Sequence, residues 1–156
     1  MGRAPGLEVR PGTILTRLSR EEAASLLAAW LAVFGRAPAP HMTTFPWHVF
    51  SAAAYPSLAR QAARDAYVAV ACPAYVVLSN TGDEALVTDQ KPTWCSAPDC
   101  YVFPRNLAWT MAFTHEDGWL GPFFARHPDF ERLQGDNLKG LRKAQRAAAA
   151  RQRGWS

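Results

Sequence analysis

Between Tyr75 and Thr114 the chain is cut into apolar runs too short for helices and separated by turn chemistry. No other segment constrains the fold as tightly. Tyr75-Val76-Val77-Leu78-Ser79 is rich in aromatic and β-branched residues, Asn80-Thr81-Gly82-Asp83 is turn chemistry, and Ala85-Leu86-Val87-Thr88 returns as a second run. That pattern predicts a hairpin. After a loop over Lys91–Asp99, interrupted by Pro92 and Pro98, Cys100-Tyr101-Val102-Phe103 predicts a third strand. Pro104-Arg105-Asn106 then turns the chain into a fourth, Leu107–Thr114. Four strands in succession predict an α+β fold, an antiparallel four-stranded meander sheet packed on one face by helices.

Successive strand side chains alternate between faces. Trp109, Met111 and Phe113 therefore share a bulky core face, which His115 continues, while Thr110, Ala112, Thr114 and Glu116 share the other. On this parity Thr114-His115-Glu116 is not a converging catalytic pair by itself. It gains chemical interest if His48 approaches from elsewhere.

The helices are signalled locally. Ser19-Arg20-Glu21-Glu22 matches a capping box, Ala23, Leu26, Leu27, Trp30, Leu31 and Phe34 follow at helical spacing, and Gly35 is a natural stop. A helix over residues 20–34 follows. Ser57 is placed to cap a second helix running to Tyr67, and Pro122 to begin a short one through His127. An Ala/Arg/Lys-rich helix is expected over 137–152. Residues 1–12 read as a flexible leader, 13–135 as a single α+β domain and 136–156 as a basic helical tail. The net charge of +4 belongs to that tail: from Asp136 onward six basic residues face one acid, leaving the rest slightly acidic.

With 49% hydrophobic and 19% charged residues the chain is globular in composition. No apolar run approaches the ~20 residues of a membrane span, and the first residues lack a signal-peptide core. A cytoplasmic protein without a membrane partner is expected, and Cys72, Cys95 and Cys100, an odd and sparse set, read as reduced thiols. No phosphate-binding glycine loop and no Gly-x-Ser-x-Gly elbow occur. Cys95 and Cys100 lack the second close Cys or His pair of structural zinc, and a zinc-protease motif starting at His115 would need histidine where Trp119 stands. No metal and no cofactor are expected.

Trp47-His48-Val49-Phe50-Ser51, Tyr101-Val102-Phe103-Pro104, Trp109-Thr110, Thr114-His115-Glu116 and Gly121-Pro122-Phe123-Phe124 occur in that order. In this the chain resembles a family of small, mostly bacterial proteins classed as a domain of unknown function, with Trp-His-x-Phe-Ser and WT…THE…GP[FY]F signatures, over residues 15–130. The resemblance implies a shared architecture and no particular activity. It singles out His48, His115 and Glu116 as the polar residues inside the signatures.

Two functional classes follow. The first is a non-enzymatic protein-binding module of the immunity or antitoxin-like kind, whose partner is another protein. The second is a small enzyme or ligand-binding protein with a pocket between the two signatures. Trp47, His48, Thr114, His115, Glu116 and Trp119 would line it, and His48, His115 and Glu116 are its catalytic candidates, since histidine titrates near neutral pH. The tail residues Lys139, Arg142, Lys143 and Arg146 recur at helical spacing, which adds a weak nucleic-acid contact as a further partner.

Overall fold

The computed structural model describes residues 6–35, 46–115 and 121–154. In chain order the elements are β1 (Val9–Arg10), β2 (Thr16–Arg17), α1 (Arg20–Phe34), α2 (His48–Ser51), β3 (Leu58–Ala59), α3 (Arg60–Ala69), β4 (Tyr75–Ser79), β5 (Ala85–Thr88), β6 (Trp94–Cys95), β7 (Cys100–Pro104), β8 (Trp109–Phe113), β9 (Phe123–Arg126) and α4 (Phe130–Gln152). Helix α1 starts at the capping box: Glu22 N donates to Ser19 Oγ (3.1 Å) and Ser19 N to Glu22 Oε1 (2.9 Å). It ends where Gly35 N returns to Leu31 O.

The hairpin and both later strands form, but they are not a four-stranded meander. Seven antiparallel strands run in the order β2-β5-β4-β7-β8-β9-β3. Strand β7 pairs with β4, not with β5. All five residues of β4 are buried, so both of its edges need ladder partners, and a meander would leave one edge open. The long 89–99 connection carries the chain across to that edge, and along it β6 pairs with β1 in a separate two-stranded ribbon.

Nor is the sheet covered on one face. Tyr75, Val77, Val102, Trp109, Met111 and Phe124 join one core with Tyr67 and Val70, against which Phe130 and Leu133 of α4 pack. Val76, Leu78, Tyr101, Phe103, Ala112 and Phe123 join a second with Trp30, Phe34, Trp47 and Phe50. The face carrying Thr110 is therefore as dry as the face carrying Trp109, and Thr110 Oγ1 is satisfied by the buried indole of Trp30 (2.9 Å).

Two further expectations change, at residues 123–126 and at the start of α3. Residues 123–126 are strand β9 and not a helix, because the open edge of β8 takes them and Phe123 and Phe124 then feed opposite cores. Leu58–Ala59 pair with β9, so α3 begins only after Ala59, without a side-chain cap. Within the expected leader, Leu7 and Val9 are buried and β1 pairs with β6. Helix α4 runs unbroken across the division expected after residue 135. Its inner end is seated by amides: Gln134 accepts from Trp109 Nε1 (3.1 Å) and donates to Ala71 O (2.8 Å), and Asn137 donates to Gln134 and to Asn106.

The cysteines also differ from expectation. Cys95 and Cys100 are joined in a disulfide, while Cys72 is a buried free thiol whose pKa burial pushes up to about 12.

Candidate functional site

The β7–β8 register pairs Cys100 with Phe113 and so brings the residues just outside, Asp99 and His115, to one end of the ladder. Asp99 is nearly enclosed and His115 is about two-fifths exposed (side chains 7% and 39%). The carboxylate brackets the imidazole: Nδ1 lies 2.9 Å from Oδ1 and 3.0 Å from Oδ2. Oδ1 also accepts the backbone N–H of His115 (2.9 Å) and Nε1–H of the buried Trp47 (3.1 Å). A carboxylate only accepts, so Nδ1 holds a proton, and whenever the ring carries one proton the Nδ1–H tautomer is the one that Asp99 selects. Hydrogen bonds to a charged acceptor are the stronger kind, which makes the bracket a directional restraint on the ring.

Trp47 is the hub of the arrangement. Its indole stacks on Phe123 (centroids 5.8 Å, planes 20° apart) and meets His48 and His115 edge-on, at 4.3 and 5.8 Å. Its backbone N–H donates to Tyr101 Oη (3.1 Å), which donates in turn to Asn80 Oδ1 (2.8 Å). Burial holds the Tyr101 phenol well above its ordinary pKa, so it stays a neutral donor. A surface groove of about 440 Å³ shares Asn80 and Asp99 with this cluster and has Asp83 and Glu84 among its other walls, while Trp47, His48 and His115 do not line it.

Thr114 precedes His115 and is 4% exposed, yet among the described residues its Oγ1 has no hydrogen-bond partner. Gly121 lies directly against it. A Cβ on Gly121 would sit 2.5 Å from that oxygen, so a glycine is required for the close approach.

Of the residues singled out in sequence, Trp47, His48 and His115 come together around one indole, with Thr114 beside them. Glu116 and Trp119 lie outside the described residues. Lys139, Arg142, Lys143 and Arg146 are exposed on α4. His115 does not continue the face of Trp109: β8 stops at Phe113, parity lapses, and the ring turns to Trp47 in the opposite core. Sequence reasoning missed Asp99 and Tyr101. The signal for Asp99 lay in the register, since an acid immediately before a strand that pairs against the Thr-His end has that end within reach. Among the described residues no group of three or more His, Cys, Asp or Glu side chains is arranged to hold a metal ion.

A family model described as a domain of unknown function, DUF4275, matches residues 34–124. The chain belongs to the DUF4275 family. The DUF4275 match spans Trp47, His48, Asp99, Tyr101, Thr114, His115 and Gly121, so the whole site lies inside it, while α4 and most of α1 lie outside. The DUF4275 description assigns no activity. No curated protein and no solved structure matches the chain.

Proposed function

We propose that this chain is a small ligand-binding protein or enzyme whose working group is His115, oriented by Asp99 and flanked by His48 across the Trp47 indole. The observation that carries the reading is the buried Asp99 carboxylate bracketing Nδ1 of a half-exposed histidine. A carboxylate behind one ring nitrogen sets the tautomer and directs the other nitrogen to accept or deliver a proton. The groove walled by Asp99 and Asn80, mixed in polarity, suits a small hydroxyl-bearing molecule.

The test is ring ¹⁵N spectroscopy of His115 in the wild type and in Asp99→Asn, together with a small-molecule screen followed by the same signals. The reading expects an Nδ1–H tautomer that Asp99→Asn abolishes, and a ligand that shifts the ring and no longer binds folded His115→Gln. If His115→Gln loses only stability and no molecule perturbs the ring, the dyad serves the fold alone and the proposal fails.

A second reading, the non-enzymatic immunity-like module, draws on one observation elsewhere. Trp94 is 43% exposed on the β1–β6 ribbon, with the Arg10 guanidinium 4.6 Å over its ring, and Trp and Arg are the side chains that most often anchor protein partners. Under that reading Trp94→Ala abolishes association with a purified protein partner at unchanged melting temperature, whereas His115→Gln does not.

A further inference from the structure

Helix α4 has two halves of different character. The inner half is seated on the body through Leu133, Gln134 and Asn137, and the last close approach is Gly140 against Pro73. Beyond it, Arg142 to Ala147 are exposed all round the helix, and Ala148 to Ala150 are partly buried. An isolated helix of that length is marginal in water. Here the seated half supplies the nucleus, and the Ala, Arg and Lys residues beyond it propagate the helix readily.

At 100° per residue Lys139, Arg142, Lys143, Arg146 and Arg153 fall on one face, about 21 Å from end to end at 1.5 Å per residue. Among the described residues no acidic side chain pairs with any of them. Leu141, Ala144 and Ala148 occupy the opposite side, and Leu138 flanks the row. A row of unpaired cations along an unpacked helix has a polyanion as its complement.

We infer that the outer half of α4 is a docking surface for duplex DNA, held by its phosphates. Three features select this occupant. An α-helix, about 10–12 Å across, enters the B-form major groove, about 12 Å wide, while the deep and narrow A-form groove of duplex RNA does not admit it. Membrane insertion needs bulky apolar residues opposite the charges, and here one leucine and alanines stand there. The polar side chains on the basic face are Lys and Arg, with Gln145 and Gln152 turned to the other side, so phosphate contacts supply most of the affinity whatever guanine edges the Arg side chains also meet. The inference does not depend on the acid–base reading, since these residues lie outside the DUF4275 match.

The experiment is fluorescence anisotropy of the full chain with a 20-base-pair duplex DNA, the same sequence as duplex RNA, vesicles containing phosphatidylserine, and a poly-glutamate peptide. Five released counterions predict a log–log salt slope of about −4.5, a roughly 500-fold loss of affinity from 50 to 200 mM salt, with little dependence on DNA sequence. Arg142→Ala/Lys143→Ala/Arg146→Ala should reduce the slope to about −2. Its melting temperature should not move, because these side chains touch nothing. Equal or tighter binding to RNA, vesicles or peptide overturns the inference. So does a slope that the triple variant leaves unchanged, or the lack of DNA binding at 50 mM salt.

Discussion

Thr110 and Thr114 belong to one stretch of chain and are both buried, yet replacing them with valine should shift stability in opposite directions. Thr110 Oγ1 accepts from Trp30 Nε1 at 2.9 Å, and both groups are fully enclosed. Thr110→Val leaves the indole N–H desolvated and unpaired, a loss of about 1–3 kcal/mol. Thr114 Oγ1 has no partner among the described residues, so the wild type already bears the desolvation of that hydroxyl, and valine removes it. A buried methyl adds up to about 0.8 kcal/mol, although it is larger than the oxygen it replaces against Gly121. The net expectation for Thr114→Val is a gain of about 1 kcal/mol, which raises the melting temperature by roughly 2–4 °C in a chain of this size. Urea unfolding of both variants with unchanged m-values measures the contrast directly. If Thr114→Val destabilises by 1 kcal/mol or more, the hydroxyl has a partner and the reasoning is refuted. An orphaned buried hydroxyl next to His115 would then no longer mark stability given up at the candidate site.

Trp47→Phe removes one of the donors to Asp99 and should cost about 1.5–3 kcal/mol, since the acceptor is charged; calorimetry reads the loss, and ring ¹⁵N shifts of His115 show whether the bracket survives. Gly121→Ala should destabilise in the wild-type background, and Thr114→Ala should restore part of the loss with a coupling of about 0.5–3 kcal/mol, because the atom met at 2.5 Å is then gone; additive effects in a double-mutant cycle would exclude the clash. The backbone N–H of Ser19 holds the Glu22 carboxyl below its ordinary 4.5. A lowered folded-state pKa contributes stability above the unfolded value that disappears as pH falls through the folded one, so Glu22→Gln should flatten the loss of melting temperature below pH 4.5.

How far the sequence could be read follows from how local each signal is. Helix α1 was legible to its ends because a cap, a 3.6-residue period and a glycine stop all lie within its own residues. The positions of β4, β5, β7 and β8 were legible from composition, but their order was not, because the choice of β4 over β5 as the partner of β7 depends on which buried edge remains open. Gly121-Pro122 carried a helix-start signal that lost to the free edge of β8, as tertiary pairing commonly overrides local preference. At the site, the aromatic and imidazole members stood out by residue type. Asp99 did not, since its role arises from a register linking residues far apart in the chain.

Among the described residues the seven-stranded sheet ends on each side in a strand of only two residues, β2 beside β5 and β3 beside β9. Strands that short expose too few free N–H and C=O groups to template an incoming chain, which is how natural sheets resist edge-to-edge aggregation. The sheet is thereby closed to growth by backbone addition at either margin. What the molecule offers a partner is then side chains, and under the readings proposed above these are the ring cluster around Trp47, the stacked Trp94 and Arg10, or the cations of α4.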